Sequence, residues 1–354
     1  MNLHQNEIIA FNHELLAWFQ QNGRDLPWRR TKNPYYIWVS EVMLQQTQVD
    51  TVKPYYDRFI TDFATPEALA DAPEQSVLKM WEGLGYYSRA RNLQQGVREV
   101  VEKYDGKLPD DKKKLLELHG IGPYTAGALL SIAFGQPEPA IDGNVMRVMS
   151  RVFMIDADIA KAKSKKQFEE VVGKLIAEAN PSAFNQALMD LGAMICRPKR
   201  PDCPNCPVRR QCKAYSARVQ EKYPVKSRPK KATVRCYAIV LVQDQLGRYL
   251  IEQRTDSGLL AGFWQFPMVE CETNSDLLPA AFRKLASVER LDFHYIHRFS
   301  HLVWDLTLYR VDQAIDLPAG VARKWVAVDE FERYPFPVPH LKVIDWLKNL
   351  RMNT

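Results

Sequence analysis

The spacing of hydrophobic residues changes once along this chain. Up to about residue 195 it follows a helical period, as in residues 4–22, where Ile8, Phe11, Leu15 and Trp18 fall on one face. Further helices are predicted at 35–50, up to His119, at 124–134, from Gly143, at 164–179 and at 181–195. After residue 232 strands are predicted at 234–242, 249–253, 291–299, 302–311 and 324–328, with helices at 276–287 and 340–350. The pattern therefore predicts an all-α domain followed by an α+β domain.

A short Gly-Ile-Gly-Pro segment separates two of the predicted helices. Gly120 and Gly122 permit positive φ and close backbone approach, and Pro123 suits the first turn of a helix. Free N–H groups at such a helix N-terminus can bind a phosphate, although a simple turn is the commoner reason for this pattern. Asp142 has the residue type and position of an N-cap for the helix that starts at Gly143.

The helix predicted at 35–50 carries an unusual polar face. Glu41, Leu44, Gln45 and Gln48 share it at helical spacing. Amides in such a place can hydrogen-bond displaced bases, whereas the residues alone favour an ordinary solvent-exposed Glu.

A Gly-Leu-Gly-Tyr-Tyr segment begins at Gly83. Two glycines before paired tyrosines indicate a flexible loop with a ring at Tyr86 that can stack on a base, and Arg89 follows it. A pair of core tyrosines at a helix start is the commoner alternative.

Charge is distributed unevenly. The segment 196–235 holds 13 Lys and Arg against Asp202 and Glu221, a local charge of +11, whereas the whole chain carries +6. A concentrated basic segment favours a polyanionic partner over a solvated linker. The 354 residues, 46% of them hydrophobic, suffice for two domains.

Four cysteines lie close together in the basic segment. Cys196, Cys203, Cys206 and Cys212 have the spacing C-x6-C-x2-C-x5-C. The N-terminus lacks a signal peptide's apolar core. We therefore expect a cytoplasmic location and no disulfides. Spacing alone leaves zinc and an iron–sulfur cluster equally open. The sequence has no apolar run of 18 residues, so no membrane span is expected.

Together these motifs resemble a known superfamily. The hairpin at 118–126 followed by Asp142 is similar to that of the helix-hairpin-helix DNA glycosylases, although His119 stands where many relatives have Pro. Residues 38–48 and 83–93 resemble adenine DNA glycosylases of the MutY type, and the cysteine spacing occurs in those enzymes and in endonuclease III. The C-terminal part resembles a Nudix-type domain but lacks the Nudix box of clustered Glu and Arg.

The resemblance implies a role for each matched residue. Catalysis is assigned to Glu41 as acid and Asp142 at the sugar, supported by Tyr124 and Asn144. DNA binding is assigned to Leu44, Gln45, Gln46, Tyr86, Gly120, Gly122, Arg29 and Arg89. Recognition of 8-oxoguanine is assigned to Phe299, Ser300 and His301, and a [4Fe–4S] cluster to Cys196, Cys203, Cys206 and Cys212.

The resulting expectation is a base-excision-repair enzyme. It has a helical glycosylase domain at 1–213 with an iron–sulfur loop at 196–212, a basic linker at 214–231, and a Nudix-like 8-oxoguanine recognition domain at 232–354. It hydrolyses the glycosidic bond of adenine opposite 8-oxoguanine or guanine, and A:C is a further candidate pair. We expect a monomer that binds double-stranded DNA, without a membrane partner, and that associates with the nucleoid if the source is bacterial.

Two alternatives stay open. Bifunctional relatives place a Schiff-base Lys where this chain has Tyr124, so an endonuclease III-like glycosylase/lyase acting on oxidised pyrimidines is disfavoured. A non-catalytic lesion-binding protein would have no need of both Glu41 and Asp142.

Overall fold

The computed structural model describes residues 4–227, 231–271, 287–311 and 320–352. Its helices are α1 Gln5–Asn22, α2 Pro34–Leu44, α3 Val49–Asp62, α4 Pro66–Asp71, α5 Glu74–Met80, α6 Ser88–Tyr104, α7 Lys112–Leu116, α8 Pro123–Ile132, α9 Gly143–Phe153, α10 Lys165–Ile176, α11 Pro181–Asp190, α12 Lys213–Ser216 and α13 Val338–Met352. Its strands are β1 Thr233–Val242, β2 Tyr249–Gln253, β3 Trp264–Gln265, β4 Met268–Cys271, β5 Val288–Arg298, β6 Leu302–Val311 and β7 Arg323–Val326. Across these ranges, none of the helices has both the length and the apolar character needed to cross a membrane.

Contacts divide the chain into two units. The first comprises residues 1–71 and 92–228, and the second comprises 72–91 and 229–354. The helical first unit and the mixed second unit agree with the predicted order of an all-α and an α+β part. The boundaries predicted at 213 and 231 stay a prediction.

The first unit is built around α9. One buried cluster joins α1, α9, α10 and α11 through residues such as Phe11, Met149, Phe168 and Phe184. Asn180 caps α11 by accepting a hydrogen bond from the N–H of Ala183, so this helix begins where Pro181 predicted. After Asp190 the helix continues as a π-helical turn, Leu191–Ile195, which leads into the cysteine segment.

One helix prediction in this unit is wrong. Helix α2 ends at Leu44, where the carbonyl accepts from the N–H of Thr47 at 3.2 Å, and Gln46 takes φ 59°. A left-handed residue cannot continue a right-handed helix, and the next helix begins at Val49. Gln45 and Gln48 therefore do not share a helical face with Glu41, and Gln46 lies at a turn.

The second unit holds two sheets. One has the order β4-β1-β6-β5, with β1 and β6 parallel, and the other has the antiparallel order β3-β2-β7. All five predicted strands are present with small shifts at their ends, and the predicted C-terminal helix is α13. The short strands β3 and β4 were missed. The helix predicted at 276–287 falls at 276–286 outside the described residues.

Residues 72–91 are bonded into the second unit. The indole N–H of Trp264 donates to Gln75 at 3.1 Å, and the rings of Tyr87 and Phe263 lie 4.2 Å apart. Arg91 donates to the carbonyl oxygen of Asp256 at 3.1 Å. This grouping joins a stretch from the middle of the helical sequence to the C-terminal strands.

Candidate active site

Glu41 is a buried carboxyl group in an apolar helix. Asn33 caps α2 and Pro34 occupies its first turn, and the residues from Tyr35 to Met43 are buried except for Tyr36. The Glu41 side chain is among them at 4% exposure. Burial raises the pKa of Glu41 to about 7, and the negative charge of Asp142 adds to the rise. The carboxyl group therefore gains and loses its proton near neutral pH.

Tyr124 contacts that carboxyl group directly. Its hydroxyl donates to Oε2 of Glu41 at 2.7 Å, which partly opposes the raised pKa of Glu41. Burial, together with the neighbouring carboxylates, raises the pKa of Tyr124 well above its ordinary value. The phenol consequently remains a neutral hydrogen-bond donor.

The hairpin before Tyr124 confirms the predicted positive φ at Gly120 but not at Gly122. Gly120 has φ +77°, and an added Cβ would lie 3.1 Å from Asn92. Gly122 has φ −95° and caps α8 in an extended conformation, with no atom within 4 Å of an added Cβ. The internal fold thus requires glycine at Gly120 but not at Gly122.

Asp142 caps α9 as predicted. Its Oδ1 accepts from the N–H of Val145 at 2.7 Å, and its Oδ2 accepts from the amide of Asn144 at 2.9 Å. Burial raises the pKa of Asp142, and these two donors oppose that rise. Arg147 donates to Asn144 at 2.9 Å and to the carbonyl oxygen of Cys196 at 2.9 Å, so a chain of contacts leads from Asp142 to the cysteine segment.

These residues meet in two adjoining clefts of the first unit. A cleft of about 430 Å³ and a more open one of about 940 Å³ share seven lining residues. The shared residues are Glu41, Leu44, Thr47, Gln48, Tyr124, Asp142 and Asn144. The open cleft is further lined by Gln45, Gln46, Gly120 and Gly122. The structure therefore brings the predicted catalytic residues together with most of the predicted DNA-binding residues.

Arg29 lines the smaller cleft, but its guanidinium is already paired. It donates to both carboxylate oxygens of Asp190, at 2.7 and 2.9 Å, and Arg24 donates to the same carboxylate. These cations lower the pKa of Asp190 against the opposing effect of burial. Sequence reasoning missed this role of Asp190, although a lone acid in the apolar run from Ala187 to Leu191 was the available signal.

Arg89, predicted to bind DNA, lies in the first turn of α6 and is bonded to the preceding loop. It is 8% exposed, donates to the carbonyl oxygens of Gly85 and Tyr86, and lies over the ring of Trp81. Burial lowers the pKa of Arg89 to about 10. The position supports the loop's shape, and a direct contact of Arg89 with DNA stays a prediction.

A separate cavity of about 480 Å³ lies within the second unit. It is lined by the loop at 83–88 and by Phe299, Ser300 and His301 at the turn between β5 and β6. Tyr86 takes φ 48° and is 45% exposed, so its ring is accessible. The predicted stacking residue and the predicted 8-oxoguanine residues thus line one cavity.

Phe299 is fixed by aromatic neighbours. Its ring lies 4.5 Å from His297 and 5.0 Å from Trp304, both in edge-on contact. The N–H of Phe299 donates to the carbonyl of Leu302 at 2.8 Å and closes the turn. His297 was missed at the sequence level, where alternate residues of a strand gave no reason to select it.

The four clustered cysteines line one small cavity of the first unit. None forms a disulfide. Burial raises the pKa of the Cys203, Cys206 and Cys212 thiols, that of Cys206 to about 12. Among the described residues, no three or more His, Cys, Asp or Glu side chains form a group that could hold a single metal ion.

Comparison with known families assigns both parts of the chain. Residues 39–174 match the HhH-GPD superfamily of base excision DNA repair proteins. Residues 237–346 match the NUDIX domain family.

A comparison over nearly the full length is more specific. The chain is 37% identical to the adenine DNA glycosylase of Mus musculus over 388 residues, which cover 92% of this chain and 75% of that protein. The chain belongs to the adenine DNA glycosylase family. The family, the fold class and the enzyme class predicted from the sequence are therefore confirmed.

Solved structures agree with this assignment for the helical part of the glycosylase. A thermostable thymine-DNA glycosylase matches with TM-score 0.56 and 30% identity, covering 60% of this chain and 98% of that one. Endonuclease III in a trapped covalent complex with DNA matches with TM-score 0.53 and 26% identity, covering 61% and 99%. The helical unit of this glycosylase shares its fold with enzymes that act on DNA.

Proposed function

We propose that this glycosylase removes adenine paired with 8-oxoguanine or guanine in duplex DNA, with A:C as a further candidate pair to be tested beside them. The observation that carries the proposal is a buried carboxyl group with a pKa of about 7 in the cleft that also holds Asp142. Adenine leaves its sugar readily only when a ring nitrogen is protonated, and Glu41 can donate that proton at neutral pH.

The reaction divides between the two carboxyl groups. The target adenine rotates out of the helix into the cleft. The proton of Glu41 moves to a ring nitrogen of adenine, and the C–N bond breaks with its electron pair leaving on the base. Asp142, ionised, stabilises the sugar cation until water adds to the sugar carbon and loses a proton. Asn144 keeps the carboxylate of Asp142 oriented by its hydrogen bond.

Tyr124 distinguishes this reaction from that of a glycosylase/lyase. A lyase step needs an amine that forms an imine with the opened sugar, and a phenol cannot supply it. The hydroxyl of Tyr124 instead donates to Glu41 and keeps its carboxyl group in place. We therefore propose a largely monofunctional enzyme, which disfavours the endonuclease III-like alternative.

The hairpin and the turn after α2 form the DNA-binding side of the cleft in this proposal. Gly122 presents an extended backbone with open space where a side chain would stand, which permits a phosphate to approach closely. Leu44, Gln45 and Gln46 line the same cleft and can occupy the gap left by the rotated base.

The cavity of the second unit is proposed to read the opposing base. 8-Oxoguanine differs from guanine by a proton at N7 and an oxygen at C8. Ser300 and His301 carry the donors and acceptors for these atoms, and Tyr86 provides an accessible ring for stacking.

The four cysteines are proposed to hold a [4Fe–4S] cluster that shapes the basic segment for DNA binding. Their free thiols face one cavity, which fits four ligands of one group. A zinc site would bring the sulfurs to about 2.3 Å from one ion. The metal content of the purified protein distinguishes the two groups, because a zinc site holds one ion and the cluster holds four irons.

A panel of duplexes tests the proposed function. Single-turnover reactions with A:8-oxoguanine, A:G, A:C and thymine glycol duplexes, with and without alkali, should show adenine release from the first two and strand cleavage only after alkali. Cleavage of thymine glycol duplexes without alkali would favour the glycosylase/lyase. Damage-specific binding without excision of any base would favour the lesion-binding protein.

A further inference from the structure

Arg151 is a buried cation beside the four cysteines. It lies on α9, and its side chain is 2% exposed. The guanidinium donates to Sγ of Cys196 at 3.3 Å. Its other hydrogen bonds go to carbonyl oxygens, those of Cys196, Arg197, Pro198, Gln220 and Tyr223, at 2.7 to 3.4 Å.

This cation has no acidic partner in the described part of the chain. The ion pairs seen there join other residues, whereas every acceptor of Arg151 is a carbonyl or a sulfur. A buried charge is strongly unfavourable unless an opposite charge compensates it. The groups that can carry negative charge and line one cavity with Arg151 are the thiols of Cys196, Cys203, Cys206 and Cys212 and the carboxyl group of Asp202, which accepts from the amide of Asn205 instead.

We propose that Arg151 is the internal counter-charge of the iron–sulfur cluster and a positioning residue for the cysteine loop. This inference rests on the cluster in the proposed function. A cluster held by four thiolates carries net negative charge, and a nearby cation stabilises its more reduced form. Arg151 therefore raises the reduction potential of the cluster and slows its loss.

Arg147, one turn earlier on α9, has a different role. It donates to the carbonyl of Cys196, to Gly192 and to Asn144, and to no sulfur among the described contacts. Arg147 thus connects the cysteine segment to the active site, whereas Arg151 faces the sulfurs.

The test compares two substitutions of matched length in the full chain. R151K keeps the charge and R151M removes it, while R210M removes an exposed charge from the same loop as a control. Each purified protein is measured for iron per chain, for the midpoint of an optical redox titration, and for the rate at which a chelator removes iron. None of these readouts depends on glycosylase activity.

The charge is the decisive variable. We expect R151M to titrate at a more negative potential than R151K and to lose iron about tenfold faster, with R210M like the wild type. Isolation of R151K with iron and of R151M without it would also support the counter-charge. Equal potentials and release rates in loaded R151K and R151M would overturn it, as would loss of iron from both, because hydrogen bonds alone would then explain Arg151. Wild-type protein with zinc in place of iron would end the cluster proposal itself and this inference with it.

Discussion

Glu41 has to be protonated before it can act as an acid. Its pKa of about 7 means that the protonated fraction falls as the pH rises through neutrality. The single-turnover rate of adenine excision should therefore decline towards high pH, and Glu41→Gln should bind the A:8-oxoguanine duplex yet leave adenine in place. Rates measured from about pH 5.5 to about pH 9 check both points. A flat profile, or excision near the wild-type rate in the Gln variant, would remove Glu41 from the acid role.

The same carboxyl group should reduce the stability of the fold. Because its folded pKa of about 7 exceeds the ordinary 4.5, the contribution of Glu41 to the free energy of unfolding is highest below pH 4.5 and declines as the pH rises to about 7. Glu41→Gln removes this dependence, so the variant should exceed the wild type above pH 7 by roughly 3 kcal/mol at most and equal it near pH 4.5.

Denaturant unfolding near pH 4.5 and above pH 7 measures the difference in free energy of unfolding between Glu41→Gln and the wild type. Glu102→Gln provides the control, because Glu102 is exposed on α6 and its substitution should change little at either pH. An equal gain from Glu102→Gln, or none from Glu41→Gln, would show that burial of Glu41 carries no such cost.

At the level of elements, the two glycines of the hairpin differ in role. The fold requires Gly120, whereas Gly122 is available to contact DNA. Gly122→Ala meets no atom within 4 Å and needs no positive φ, so the protein should fold with a loss of at most about 1 kcal/mol. An added methyl group would keep a phosphate from the N–H groups of α8, so DNA affinity should fall about tenfold.

Two alanine controls define that result. Gly173 in α10 also has open space, and Gly173→Ala should stabilise the protein slightly and leave DNA binding unchanged. Gly120→Ala should destabilise it, since φ +77° and Asn92 both oppose a side chain. Unchanged DNA affinity in Gly122→Ala would mean that this hairpin does not approach the phosphate backbone of DNA. Thermal melting and binding titrations at one salt concentration give the comparison.

Elements with local signals could be predicted, whereas their interruptions could not. Asp142 was identified as a cap because the Asp side chain and the following apolar helix lie together in the sequence. The prediction that α2 continues past Leu44 was wrong. The sequence has no glycine or proline at this point to indicate that Gln46 adopts a left-handed conformation. The pairing of Arg29 with Asp190 joins residues 161 positions apart, and local spacing contains no information about it.

At the scale of the whole molecule, the division into an α and an α+β part followed from the change of hydrophobic period. The assignment of residues 72–91 to the second unit could not be predicted in this way. It depends on contacts of Gln75 with Trp264 and of Tyr87 with Phe263, which lie far apart in the sequence. One consequence is that the Tyr86 loop and the turn at Phe299–His301 line one cavity within a single unit.

Selectivity for the base opposite adenine belongs to the whole enzyme, because adenine itself is the same in every pair. A site whose polar groups match the N7 proton and C8 oxygen of 8-oxoguanine leaves those groups unsatisfied against guanine. Replacing Ser300 and His301 together by Ala should reduce the preference for A:8-oxoguanine over A:G by roughly 1–3 kcal/mol. The ratios of single-turnover rates and of binding constants for the two duplexes measure it.

Gln245→Ala is the matched control, since Gln245 is an exposed polar residue on the turn between β1 and β2 of the same unit. The Gln245→Ala variant should prefer A:8-oxoguanine over A:G to the same extent as the wild type. Phe299 should help to hold the turn through His297 and Trp304, so the double variant is expected to stay folded with its aromatic contacts in place. An unchanged ratio in the double variant would place recognition of the opposing base elsewhere, with the Tyr86 loop as the first segment to examine, because its exposed ring lines the same cavity.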